Sequence, residues 1–168
     1  MRSSIVAVLL VVALASSVPA ASIYPIMGYW SGGVSETMGY GLQVFSQVDR
    51  EHDAVGGIGL AAGTGYTLIT ASLGGMRYFP PVTNLKLIPY AGIGVNYNIL
   101  NISTLLPVGG SVSGAGLQAS CGLLYGNALV QFKYLASSLT YNYSIAGVDH
   151  AVPYNGGDVL EAGYRFDI

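Results

Sequence analysis

The stretch from Leu85 to Ile99, LKLIPYAGIGVNYNI, alternates without a break. One parity reads Leu85, Leu87, Pro89, Ala91, Ile93, Val95, Tyr97, Ile99; the other reads Lys86, Ile88, Tyr90, Gly92, Gly94, Asn96, Asn98. Successive strand residues point to opposite faces, so this period of two predicts a strand with one apolar face and one polar, glycine-rich face. Its length far exceeds the usual strand of about five or six residues in a globular sheet. A tilted strand crossing a bilayer needs about 9–11 residues before any extension.

The pattern recurs along the chain. Residues 38 to 48 set Met38, Tyr40, Leu42, Val44 and Val48 against Gly39, Gly41, Gln43, Phe45 and Gln47. Residues 114 to 125 set Ala115, Leu117, Ala119, Cys121, Leu123 and Tyr125 against Gly114, Gly116, Gln118, Ser120 and Gly122. Residues 127 to 135 set Ala128, Val130, Phe132 and Tyr134 against Asn127, Gln131 and Lys133. Ile58 and Leu60 oppose Gly57 and Gly59, so GIGLAAG at 57–63, with no helix after it, reads as strand glycine rather than a nucleotide loop. In YTLITASLGGMRYF the parity changes between Leu73 and Met76, which predicts a bulge at Gly74-Gly75 and puts Arg77 on the polar face.

Turn residues divide the pattern into eight strands, at 23–31, 35–48, 54–63, 66–79, 86–100, 111–125, 127–139 and 158–168. An even number of antiparallel strands brings both termini to one side. On that side the joins are short, at Asp49–Asp53, Pro80–Asn84 and Gly126-Asn127. The opposite side carries the two longest, 101–110 and 141–157.

Composition decides where the apolar face goes. Only 8% of the residues are charged, against about 25% in soluble proteins. Apolar residues make up 52% of the chain, yet they are spread among 24 Gly rather than gathered into a run long enough for a membrane helix. The formal charge of -2 carries no basic footprint for nucleic acid. Cys121 is the only Cys, so no intrachain disulfide can form. The N-terminus has Arg2, an apolar stretch from Ile5 to Ala15, and Val18 and Ala20 at the −3 and −1 positions of a cleavage site. This predicts a signal peptide over 1–20, a mature domain over 21–168, and export.

Long strands have edges, and in a bilayer no water satisfies an edge, so the sheet must close. The expected fold is therefore all-β: a transmembrane antiparallel up-and-down barrel with both termini on the periplasmic side. The final strand, with Leu160, Ala162, Tyr164, Phe166 and Ile168 on its apolar face, is the expected closing and assembly strand. A barrel of this strand number has a lumen filled by side chains. Charged residues on the inward parity need partners there, and Arg77, Lys133, Glu161 and Arg165 are the expected lumenal network. Tyr40, Tyr78, Tyr97, Tyr125, Tyr134 and Tyr164 lie on the outward parity, as an aromatic girdle at the membrane interfaces would.

MRYFPPVTNLKLIPYAGIGVNYN (76–98) and GYRFDI (163–168) carry a resemblance. The chain resembles the eight-stranded outer-membrane barrels of the OmpA, OmpX and OmpW type over its whole mature length. That resemblance implies an integral protein of the bacterial outer membrane, surrounded by lipid, delivered by the barrel-assembly machinery, and without a cofactor. Such barrels usually end on an aromatic residue; here Phe166 stands two places before Ile168.

The chemistry of enzymes is sparse. No P-loop, zinc spacing or GxSxG pattern is present. The segment 149–166 loosely resembles the lipid A deacylase barrels, with His150 and Glu161 in place, but Val152 stands where their nucleophilic Ser would be. The expectation is a non-enzymatic, monomeric membrane barrel with a structural, adhesive or minor small-solute role. An exported soluble barrel of the lipocalin kind is the rival; it requires an apolar interior and a polar exterior. The joins 101–110 and 141–157, rich in Leu, Val and Tyr, read either as contact sites for an extracellular partner or as strand extensions above the membrane.

Overall fold

The computed structural model describes residues 21–31, 36–82, 86–102 and 110–167. The expected signal segment, 1–20, and Ile168 lie outside them, as does most of the join 101–110. The strands are β1 (Ala21–Ser31), β2 (Thr37–Gln47), β3 (His52–Gly63) and β4 (Tyr66–Tyr78). They continue as β5 (Ile88–Ile102), β6 (Gly110–Tyr125), β7 (Ala128–Ile145) and β8 (Val148–Tyr164). All pairings are antiparallel between neighbours in the chain, and β1 pairs with both β2 and β8, so the sheet closes into an eight-stranded barrel.

The seam runs from Ile26 opposite Gly163 to Ser31 opposite Asp158. It resumes in the same register where Phe166–Asp167 continues β8 against Ile23 and Ser22. Pro25 explains the interruption: it has no N–H to give the ladder. The Arg165 N–H instead donates to the Asn127 carbonyl at 2.7 Å. Leu160, Ala162, Tyr164 and Phe166 of this closing strand face outward and are exposed.

The outer wall is apolar. Met27, Tyr40, Leu60, Leu73, Ile93, Leu117, Phe132 and Leu160, one from each strand, are all exposed. The interior has three layers. Near the termini, Tyr24, Ile26, Phe45, Met76, Tyr90, Leu124 and Leu129 form one apolar cluster. At the other end, Trp30, Tyr66, Leu68, Leu100, Leu135, Leu139, Tyr154 and Val159 form a second. Between them lies a polar layer that includes Gln43, Thr70, Asn96, Asn98, Gln131, Lys133 and Glu161, all buried.

Glycine makes this filling fit. A Cβ on Gly39 would stand 2.6 Å from Trp30 Nε1, and one on Gly59 would stand 3.2 Å from Trp30 Cζ2. The indole therefore occupies a cup whose wall is bare backbone, which only glycine can supply at that distance.

Two expectations need correction. The β4 register runs unbroken through Gly74 and Gly75 against both β3 and β5, with no bulge. Met76 turns inward to the terminal-side cluster, and Arg77 therefore points outward. The bulge was invoked to keep one apolar face, but the lumen has apolar layers of its own. Second, of the two readings of 141–157 the structure shows the strand extension and not the loop. β7 runs to Ile145, turns at Ala146-Gly147, and returns as β8 from Val148. The irregularity lies lower, where the register shifts between Ala136 and Leu139, opposite Gly156 (φ +91). Below it the inward residues of β8 are Val159 and Glu161; above it they are Tyr154 and Gly156. The parity flips there, so the upper half of β8 does not continue the pattern of the lower.

Candidate functional site

The polar layer is built around one carboxylate. Lys133 Nζ lies 2.9 Å from Glu161 Oε2, with both side chains almost fully buried. Gln131 Nε2 donates to the same oxygen at 2.6 Å and Gln43 Nε2 at 3.2 Å. Tyr90 Oη donates to Gln131 Oε1 at 2.8 Å, which fixes the amide and so the direction of its N–H groups. A second chain of bonds runs from Thr70 to Asn98 Oδ1 (2.9 Å), from Asn98 to Asn96 Oδ1 (2.5 Å), and from Asn96 to the Leu117 carbonyl (2.8 Å). A charge pair this deep is tolerable only with such hydrogen bonding around it.

The layer is closed, and it leaves Gln43 Oε1 and Gln118 Oε1 buried with no hydrogen-bond partner. The cavities lined by its residues measure about 10 and 20 Å³, each room for roughly one water. A vestibule of about 770 Å³ opens at the end that carries the termini. Tyr24, Phe45 and Tyr78 line it with Arg50, Asp53 and Arg165. Its floor is the apolar cluster, in which the Tyr24 and Phe45 rings lie 4.4 Å apart. Tyr78 Oη donates to Asp53 Oδ2 at 2.6 Å on the wall.

Of the expected lumenal network, then, Lys133 and Glu161 are together in the polar layer. Arg165 lines the vestibule instead. Arg77 has the outward parity, because the strand has no bulge to turn it inward, and at the rim its Nη2 lies 3.3 Å from Glu51 Oε2, where both residues also border the vestibule mouth. Gln43, Gln131 and Tyr90 complete the Glu161 site. They were legible as inward-facing positions, but a neutral side chain gives no sign of which carboxylate it serves.

Of the expected girdle, Tyr40, Tyr97, Tyr125, Tyr134 and Tyr164 face outward and are exposed. Tyr125 and Tyr164 stand beside the Gly126-Asn127 turn, with Phe166 packed edge-on against Tyr164 at 5.4 Å. Tyr78 departs from the set: it follows Met76 into the lumen side and bonds Asp53. On β7 and β8 the outward band stops at Tyr134 and Asp158, which pair directly. Above that level the outward residues of β7 are polar: Ser138, Thr140, Asn142 and Ser144.

The cations are unevenly placed. Arg50, Arg77, Lys86 and Arg165 all lie at the end that carries the termini. The other end carries Glu36, Asp149 and Asp158. The long hairpin there bears an aromatic stack: Tyr141 on Tyr143 at 5.9 Å, and Tyr143 on His150 at 5.1 Å. His150 is thus engaged with a tyrosine ring, eleven residues along β8 from Glu161, a span of roughly 35 Å. Val152 stands between them, and His150 and Glu161 do not share a site. His52 opens β3 beside Asp49 of the β2–β3 turn at 3.0 Å, at the other end of the barrel from His150. No group of His, Cys, Asp and Glu that fits a metal occurs among the described residues.

No family model and no curated protein matches the chain. Solved structures do. The outer membrane protein OprG from Pseudomonas aeruginosa matches over 89% of this chain and 96% of its own, with a TM-score of 0.65 at 14% identity. The N-terminal β-barrel domain of Pseudomonas aeruginosa OprF matches over 89% and 98%, with a TM-score of 0.61 at 13% identity. Neisserial surface protein A matches over 88% and 96%, with a TM-score of 0.56 at 10% identity. At these identities the likeness is one of fold: the chain has the architecture of the small eight-stranded outer-membrane barrels.

Proposed function

From that architecture, we propose that the protein is an integral, non-enzymatic barrel of the bacterial outer membrane, with both termini on the periplasmic side. Its role is structural and adhesive: a closed scaffold that carries the β7–β8 hairpin out to the cell surface. The observation that carries the reading is the inversion of the wall. Exposed Leu, Ile, Phe and Tyr cover the outside, while a Lys–Glu pair is buried inside. A soluble ligand-binding barrel needs the opposite arrangement. Partners are the surrounding lipid, the barrel-assembly machinery acting on the terminal strand, and an extracellular partner at the hairpin, which replaces the loop read over 141–157.

The filled lumen favours a scaffold over a pore. The test is a gel of the outer-membrane fraction, cold and boiled, together with conductance across a planar bilayer. The expected outcome is a compact cold band that shifts on boiling, and no steady conductance. Recovery in the soluble periplasm without a shift sinks the membrane reading; a stable open current sinks the scaffold reading.

A second reading, passage of a small apolar molecule, has one observation in its favour. The β6–β7 ladder ends at Gly116 opposite Ser137, although β6 continues to Gly110 and β7 to Ile145. Leu139 leans over Gly114 and Tyr141 over Gly110, so side chains rather than backbone bonds close the wall there. Leu139→Gly opens that wall, and uptake of an apolar dye into vesicles carrying this variant reads the result.

A further inference from the structure

The outer wall is not uniformly filled. Where β3, β4 and β5 approach the periplasmic-side turns, the outward residues are small: Ala54, Gly75 and Ala91. The register sets Ala54 opposite Gly75, and Arg77 opposite both His52 and Ala91. The result is a notch of about 470 Å³ in the wall, floored by these residues and sided by Val48 and Ile93. A Cβ on Gly75 would meet nothing nearer than the Asp53 carbonyl oxygen at 3.8 Å, so the space above this glycine is open. Gly74, one residue earlier, faces the other way and would stand 2.4 Å from the Ile93 carbonyl oxygen. Packing inside the barrel demands Gly74, but nothing in the barrel demands Gly75.

The rim of the notch is charged, and in a particular order. His52 and Arg77 are direct cross-strand partners on the outer wall. His52 and Arg77 line the notch itself, while Asp49 and Glu51 sit just beyond it in the adjoining turn, Glu51 also bordering the vestibule mouth; His52 Nδ1 lies 3.0 Å from Asp49 Oδ1 and Arg77 Nη2 3.3 Å from Glu51 Oε2. All four side chains are about half exposed or more. Exposed pairs of this kind hold weakly and exchange partners at little cost. The Arg77 guanidinium has five donors, so most remain for a second acceptor.

We propose that the notch and its rim bind one phospholipid with a primary ammonium headgroup, of the phosphatidylethanolamine class, from the periplasmic leaflet. This inference rests on the membrane reading above. One acyl chain lies in the notch, the phosphate sits against Arg77 and His52, and the ammonium sits against Glu51 and Asp49. The two carboxylates select the headgroup. A glycerol headgroup leaves them without a cation, and a choline headgroup brings a cation with no N–H to donate.

The test uses the protein extracted from the membrane in detergent and titrated with phosphatidylethanolamine, phosphatidylglycerol or phosphatidylcholine of the same acyl chains. Native mass spectrometry counts the lipid retained. The expected result is one phosphatidylethanolamine per barrel, held about tenfold more tightly than either other lipid, a ~1.4 kcal/mol preference. Gly75→Leu fills the notch and Glu51→Gln removes a carboxylate; each is expected to abolish the preference while keeping the compact cold band. Equal retention of the three lipids, a preference for phosphatidylglycerol, or unchanged binding by Gly75→Leu overturns the proposal. If the compact band itself is missing from the unaltered protein, the membrane reading has failed rather than the lipid site.

Discussion

Glu161 is the residue on which the interior depends. Lys133, Gln131 and Gln43 all direct donors at its Oε2. Removing one partner of a buried pair leaves the other charge uncompensated, at a cost of about 3–5 kcal/mol. Glu161→Ala is therefore expected to destabilise the barrel by about that amount, read from the urea midpoint of the cold-gel band. Lys133→Met combined with Glu161→Gln removes both charges and leaves an acceptor for Gln131; most of the loss is expected to return. If the double variant is as weak as the single, the pair is not what holds the layer. Position and charge made Lys133 and Glu161 legible in the sequence. Arg77 was misplaced because its face was inferred by assuming that every strand keeps one apolar side, an assumption the apolar lumen clusters break at Met76 and Tyr78.

The β7–β8 hairpin shows how far a pattern carries when its surroundings change. The strands through the wall were legible because each keeps one apolar outward parity. Above Tyr134 and Asp158 the rule reverses: Leu139 and Tyr154 pack inward while Thr140 and Asn142 face out. The flip at Gly156-Gly157 and the Pro at 153 made this segment resemble a loop. Gly156 is the hinge of the change. It has φ +91, and a Cβ there would stand 1.7 Å from the Leu135 carbonyl oxygen. Gly156→Ala is expected to break the pairing of Tyr154 with Leu139 and loosen the hairpin without unseating the lower barrel. Amide exchange checks this: protection is expected to fall between Leu139 and Tyr154 and to hold between Ala128 and Leu135. Uniform protection in the variant would show that glycine at 156 is not required.

For the molecule as a whole, the question is which solvent surrounds it. Phe132 is exposed on β7 between Cys121 and Leu160, inside the apolar band, whereas Thr140 is exposed above it on the same strand. A cationic side chain on the lipid face costs about 2–4 kcal/mol at the bilayer midplane and ~0–1 kcal/mol near the interface. Phe132→Arg is thus expected to lower stability in vesicles by the larger figure and Thr140→Arg by the smaller. In water both positions would accept Arg at little cost, so equal and small effects would favour the soluble rival. Closure of the sheet was legible from strand number and edge chemistry. The layered lumen was not, because two apolar clusters and a polar layer use the same inward parity and differ only in height.

The glycine cup around Trp30 gives the protein an optical property of its own. Trp30 is the single tryptophan, it lies inside the barrel, and it pairs with Val159 across the seam. Its fluorescence therefore reports the joining of the first strand to the last, with no label added. Emission is expected to shift to the blue only when the seam forms, after the remaining strands have acquired their circular-dichroism signal. Because the indole faces away from lipid, brominated acyl chains are expected to leave it bright, whereas a tryptophan on the outer wall would be quenched. A dim indole in brominated vesicles would place Trp30 outside the barrel and the seam in a different register.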